Sequence, residues 1–279
     1  MIIEALQYGF MQKALITGLV ISIACSLLGI FLVLQRYALI GDGLAHISFG
    51  GIAVGMLVNI MPFLTAMGFA ILAAFGILKL REKAKIHGDT SIGIISHASM
   101  GLGVFIASIA HGFNVNLLSY LFGNILAIST PEVILSVVLA LIVIVVIILN
   151  YRNLFYLTFD EESARAAGIK ADFLSTLLIV LTAITVVASM RVIGLLLVSA
   201  LIIMPAAAAL QIANNFRNAL VMSAIFGVVS VIAGLSIAYI FDFAVSGTIV
   251  LMNFMIFLLM FSIRSIRKQM VLKKVRSQV

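Results

Sequence analysis

The sequence predicts an all-α, polytopic integral membrane protein of about nine spans (range eight to ten). Three observations carry this. The 279 residues are 64% hydrophobic and 10% charged, with a mean hydropathy of +1.30; a water-soluble chain is roughly half apolar and about a quarter charged. The apolar residues fall in runs close to the ~20 needed to cross about 30 Å of hydrocarbon. The basic residues sit between and after those runs. Backbone polar groups inside lipid must be satisfied within the segment, so the runs are helices.

The spans are expected near Met11–Leu34, Ile40–Ile60, Pro62–Leu78, Ser91–Ala110, Glu132–Leu149, Phe173–Met190, Ile193–Ile212, Ala219–Ile240 and Gly247–Ile263. The first has no basic leader and no cleavage-like end, so it reads as a retained span. The sixth and seventh are separated only by the interruption at Arg191 and Gly194. Charge sets the orientation. If Lys79, Arg81, Lys83 and Lys85 face the cytoplasm, alternation places 15 of the 17 basic residues inside and leaves only Lys13 and Arg191 outside. The N-terminus is then outside and the C-terminus cytoplasmic. The basic tail, Arg264 to Arg276, serves as a topology signal or as a contact for anionic lipid. The net charge of +7 follows this topological pattern and gives no reason to expect nucleic acid.

Two stretches are not plain spans. Residues 112–131 contain a short apolar run, Leu117–Ile128, which lies on or dips into the outer surface. Residues 151–172 form the longest polar stretch before the tail and contain a short helix near 159–169, with Glu161 and Arg165 at i,i+4 and Gly168 as its stop. Such a helix can seat in a groove on another protein or serve as a solvated connector. The whole chain, 1–279, reads as one transmembrane domain.

Several chemistries are excluded. The single cysteine, Cys25, lies in an apolar run, so no intrachain disulfide or cysteine-rich metal site is possible. No phosphate loop occurs: Gly168-Ile169-Lys170 is followed by Ala171 and lacks the first glycine. No G-x-S-x-G elbow or H-E-x-x-H is present. The chain therefore shows no recognisable ATP site of its own, and no motif supports an intramembrane enzyme.

The candidate site opens the second span. Asp42 and His46 are four residues apart and share one helix face, with Cβ atoms about 5–6 Å apart. A carboxylate and an imidazole suit a first-row divalent ion. A charge near the bilayer centre costs about 2.5–3.5 kcal/mol on insertion scales, so it calls for a reason. On spacing alone a second reading stands, with Asp42 as a helix cap and His46 as a hydrogen-bonded core histidine. Two ligands are also an incomplete set, and other spans, a second subunit or water must supply the rest. His97, in the middle of the fourth span, is a further ligand or relay. Asp89 reads as a cap, His87 as a solvated loop residue, and His111 and Asn116 as weak candidates where an ion enters. Gly43, Gly50, Gly51 and Gly55 let neighbouring helices approach. Pro205 kinks the seventh span. Asp242 marks an outer helix end, as a cap or as a contact for an external partner.

Three segments together resemble the permease subunits of the zinc/manganese/iron branch (ABC-3) of ATP-binding-cassette importers. They are Arg36 through Gly41-Asp42 and His46 to Gly51; Phe159 to Ile169; and Arg191-Val192-Ile193-Gly194-Leu195 through Pro205. His97 lies outside that pattern, and residues 241–247 lack the proline it carries there. The resemblance implies a homodimeric pathway in the bacterial cytoplasmic membrane. It also implies a cytoplasmic ATPase dimer docking on coupling helices that contain Glu161, Glu162, Arg165 and Gly168, and an extracytoplasmic metal-binding protein that delivers the ion. The cargo expected is Zn²⁺, with Mn²⁺ or Fe²⁺ as alternatives. A stand-alone carrier that uses the acid–histidine pair for proton coupling is one rival class; a non-transporting membrane protein, such as an assembly scaffold or intramembrane enzyme, is the other.

Overall fold

The computed structural model describes residues 7–84, 88–109, 115–123, 129–190 and 193–276. Among these there are twelve α-helices and no strand: α1 (Gly9–Leu34), α2 (Ile40–Leu57), α3 (Pro62–Ala84), α4 (Gly88–Ile109), α5 (Val115–Phe122), α6 (Thr130–Leu149), α7 (Tyr151–Phe159), α8 (Glu161–Ala166), α9 (Ala171–Ser189), α10 (Leu195–Ile212), α11 (Phe216–Phe241) and α12 (Val245–Arg276). Eight are long and apolar enough to cross a membrane; the shorter apolar helix Val198–Ile212, within α10, accounts for the ninth expected segment. At the expected join between the sixth and seventh spans, α9 ends at Ser189 and α10 begins after Gly194.

Burial orders the bundle. In α2, 72% of the membrane-spanning window is buried, against 11% in α12. The second span is therefore central and the last peripheral. α2 packs against α3 and α4 on one side and against α9 and α10 on another; α11 packs between α1 and α12. The outward-facing side chains are large and apolar, among them Leu72, Phe105, Leu149 and Leu251. In water they would be a liability; in lipid they face their own solvent.

Gly51 and Gly194 are among the glycines that close contact requires. A Cβ on Gly51 would lie 2.8 Å from the Ala66 Cα and 2.9 Å from the Thr65 carbonyl oxygen, so a side chain there would force α3 off α2. Gly194 has φ +88°, and a Cβ there would strike the backbone of Leu121 and Phe122 at 2.5 Å. The turn into α10 is thereby pressed onto the end of α5.

Helix ends follow local chemistry. Ser129 and Glu132 form a capping box at the start of α6: the Ser129 N–H donates to Glu132 Oε2 at 3.0 Å, and the Ser129 hydroxyl at 2.9 Å. The Asn218 N–H donates to Asn215 Oδ1 at 2.8 Å at the start of α11. Two boundaries differ from expectation. α3 continues through Lys79, Arg81 and Lys83, and α12 runs on from Ile263 to Arg276. Lysine, arginine, glutamine and methionine are good helix formers, so the helix outlasts the apolar run that announces it.

Candidate functional site

Asp42 lies in the first turn of α2, as its third residue, behind the N-cap Leu39. It is thus not the cap itself, and its carboxylate reaches along the helix. His46 Nε2 is 3.4 Å from Asp42 Oδ2. The backbone around the pair is buried, yet the side chains are 47% (Asp42) and 21% (His46) exposed. Two polar groups in the most buried span are therefore open to the outside of a single chain, where hydrocarbon would be a costly neighbour.

His97 comes from α4, which packs along α2. Its ring lies 6.4 Å from that of His46, centroid to centroid, tilted by 43°. His97 Nδ1 is 2.8 Å from the Gly93 carbonyl oxygen. That oxygen only accepts, so Nδ1 is the donor, which in a neutral ring leaves Nε2 with the lone pair. The exposed face of α4 is divided. Thr90, His97, Gly101 and Ser108, together with half-buried Gly93, follow one helical strip, in which Val104 is the exposed apolar member; Ile94, Leu102, Phe105 and Ile109 follow the neighbouring one. Through His97, beside His46, this mostly small or polar strip adjoins the pair Asp42 and His46. Among the described residues, no three His, Cys, Asp or Glu side chains converge closely enough to hold an ion. Asp42, His46 and His97 thus share a neighbourhood without forming a closed site, and an ion held there would need further donors.

The second predicted element is also formed. Asp160 caps α8, accepting from the Ser163 N–H at 2.9 Å and the Ser163 hydroxyl at 2.5 Å, and these bonds hold its carboxyl below the ordinary value. At the other end the Gly168 N–H donates to Arg165 O and the Ile169 N–H to Ala164 O, both at 3.0 Å, with Gly168 at φ +81°. This is the paired-bond stop that a left-handed glycine permits. Ala164 is buried, while Glu161, Glu162 and Arg165 are exposed. Arg165 donates to Glu161 Oε1 at 2.8 Å, the predicted i,i+4 pair, and also forks onto Asp172 in the first turn of α9, at 3.0 and 2.5 Å. Asp172 first, then Glu161, raise the guanidinium above its ordinary value.

α7 ties this corner to the bundle. The Gln35 side-chain amide donates to Thr158 Oγ1 at 3.0 Å. The Phe216 ring, at the start of α11, lies 5.0 Å from Phe155, 5.4 Å from Phe31, 5.7 Å from Phe159 and 5.9 Å from Tyr151. The sequence reading did not single out Asp172, Thr158 or Phe216. An opposite charge seven residues past Arg165 was the available signal for Asp172; the pairing of Phe216 with residues far away in the chain left none.

Pro205 is buried inside α10, which continues past it to Ile212. Asp242 ends α11 in a left-handed conformation (φ 55°) and borders a cleft of about 360 Å³ with Phe10, Tyr239 and Phe243. His87, His111 and Arg191 lie outside the described residues, as do the side chains of Asp89 and Asn116.

Comparison with known proteins gives the family. The model of the ABC 3 transport family matches residues 7–264. A manganese transport system membrane protein, MntC, of Listeria monocytogenes is 35% identical over 256 residues, covering 92% of this chain and 91% of that one. A probable iron transport system membrane protein of Haemophilus influenzae is 32% identical, covering 95% and 98%. The solved structure of PsaBC from Streptococcus pneumoniae in complex with Fab includes a chain of TM-score 0.83 and 33% identity, covering 94% and 95%. In this family ATP hydrolysis belongs to a separate subunit, so the chain is not itself an enzyme. By sequence and by fold, the chain belongs to the ABC 3 transport family, as a multi-pass permease of ABC-type metal transport in the bacterial plasma membrane.

Proposed function

We propose that this permease imports a first-row divalent cation, with Mn²⁺ the best-supported cargo, along the face that carries Asp42, His46 and His97. One observation carries the proposal. A carboxylate and an imidazole, 3.4 Å apart, open outward from the most buried span, with a second imidazole beside them. Oxygen and imidazole donors suit Mn²⁺ and Fe²⁺ at least as well as Zn²⁺, and geometry and availability rather than raw affinity fix the metal. Relatives named for manganese and iron transport support Mn²⁺ with Fe²⁺ as runner-up. Zn²⁺, expected from the motif, draws on the two imidazoles.

The open face calls for cover that is not hydrocarbon. A second copy of the chain, facing this one across the strip of Gly93, His97 and Gly101, supplies both cover and the missing donors. The charge bias places α7 and α8 in the cytoplasm, where α8 meets an ATPase, and the N-terminus outside, where a metal-binding protein delivers the ion. A half-built site in each copy holds the ion loosely enough to release it.

The test is radiometal uptake by cells that lack the chain and are complemented with wild type, Asp42→Ala, His46→Ala or His97→Ala, with Mn²⁺, Fe²⁺ and Zn²⁺ in competition. Asp42→Ala and His46→Ala are expected to abolish uptake while the protein still reaches the membrane. Normal uptake by both variants ends this reading. Strongest competition by Zn²⁺ overturns the choice of Mn²⁺ alone.

A further inference from the structure

We propose that Arg165 is a positioning residue whose fork onto Asp172 latches α8 to α9, so that movement of α8 is delivered into the bundle through α9. This rests on the proposed reading of α8 as the contact for a separate ATPase. It departs from the expectation that Arg165 itself belongs to the docking surface.

The corner explains why a latch is needed. α8 is six residues long and is internally well made, with Asp160 closing its first turn and Gly168 its last. It can therefore move as one body. Between it and α9 lie only residues 167–170, with Gly168, at φ +81°, bearing no side chain and Ile169 half-buried against the core. Left alone, this turn is a hinge, and a push on α8 would be absorbed there. Arg165 and Asp172 stand on either side of the hinge, seven residues apart. Both guanidinium nitrogens Nη1 and Nη2 meet both carboxylate oxygens, at 3.0 and 2.5 Å, while Nη2 also meets Glu161 at 2.8 Å. A two-pronged arginine–carboxylate contact fixes orientation as well as distance, which one point charge does not. The guanidinium is thereby braced from both sides of the corner. α9 in turn packs against α2, the helix of Asp42 and His46.

The latch is exposed, with Arg165 47% and Asp172 67% accessible. Exposed ion pairs contribute little to stability. Losing this one should leave the fold intact and appear in coupling instead. That separates a latch from a structural brace.

The experiment uses the full chain in proteoliposomes with its ATPase and its metal-binding protein, and reads three quantities: Mn²⁺ moved, ATP hydrolysed, and ATPase retained on purification. Asp172→Ala is expected to lower Mn²⁺ moved per ATP by about ten-fold, with ATPase retention unchanged. Arg165→Lys should fall between it and wild type, since an ammonium cannot fork. The exchange Arg165→Asp with Asp172→Arg should recover most of the ratio. A wild-type ratio in Asp172→Ala overturns the latch, and so does loss of the ATPase from that variant, which would make Asp172 a docking residue. Failure of the exchange to improve on Asp172→Ala counts against it as well. A wild-type complex that moves no Mn²⁺, Fe²⁺ or Zn²⁺ would instead remove the proposed function, and the latch with it.

Discussion

Replacing Gly51 by alanine should separate two roles that glycine plays in this bundle. The added Cβ would lie 2.8 Å from Ala66 Cα and 2.9 Å from both Thr65 O and Phe69 Cβ, where ordinary contact is 3.4–4 Å. Two of those atoms are α3 backbone and cannot swing aside. Relief needs α2 and α3 to part by about 0.6 Å, from 2.8 to 3.4 Å. Overpacking of this kind costs about 1–3 kcal/mol, and alanine returns about 0.5–1 kcal/mol of helix preference. The central net loss is roughly 1 kcal/mol, or a midpoint lower by about 2–4 °C at about 2–4 °C per kcal/mol. The control is Gly68→Ala on α3, where nothing lies within 4 Å of the added Cβ and the midpoint should hold or rise. Cys25, the only cysteine, is fully buried and so reports melting when a thiol-reactive dye is added during heating in detergent. Equal shifts in the two variants would refute the close α2–α3 contact. A rise in Gly51→Ala would do so more directly.

Further outcomes follow from single contacts. Glu132→Ala removes the acceptor of the α6 capping box and should lower the melting midpoint by an amount matching about 1 kcal/mol. Phe216→Ala removes a half-buried ring that lies against four others and should cost about 2–3 kcal/mol in the same assay, below the range of a fully buried ring; Phe216→Tyr should cost far less. Thr158→Val keeps the shape and removes the acceptor of Gln35, so a loss of about 1 kcal/mol is expected there, with uptake largely retained.

The fold was legible wherever lipid is the solvent, because there a long apolar run has one outcome. Nine segments were expected, and each coincides with a helix, most within three residues at either end. The larger errors lie where apolar composition stops before helix-forming composition does, as beyond Ile263 and through Lys79 to Lys83. Asp42 and His46 were legible because one turn of helix fixes their separation whatever surrounds it. His97 was visible only as a polar residue in an apolar run; its place beside His46 depends on how α4 lies on α2, which spacing within one helix cannot give. Asp172 was passed over for the same reason, since its relation to Arg165 runs across a turn. Phe216 was hidden further still, among 19 phenylalanines whose default reading is lipid contact or core.

Exposure in a single chain does not by itself distinguish lipid from water, and α4 offers a way to do so. Two strips run along its open side. Gly93, His97, Gly101 and Ser108 on the first are small or polar, with Val104 the one bulky apolar residue between them, and Ile94, Leu102, Phe105 and Ile109 on the second are all bulky and apolar. Burying bulky apolar groups in hydrocarbon costs nothing, whereas an imidazole there is penalised. The first strip should therefore meet water or a second copy, and the second should meet acyl chains. Single cysteines at Gly101 and Ser108 should react with a charged, membrane-impermeant thiol reagent in open vesicles. Cysteines at Leu102 and Phe105 should react at least ten-fold more slowly, since the reagent needs a hydrated thiolate. Native Cys25 is fully buried and stays silent at temperatures below melting. Excess Mn²⁺ should slow the reaction at Gly101, which is one helical turn from His97, and leave Phe105 unchanged. Equal reactivity on both strips would mean that α4 presents no pathway. Protection by Mn²⁺ confined to the first strip would place the ion beside His97, on the same face as Asp42 and His46.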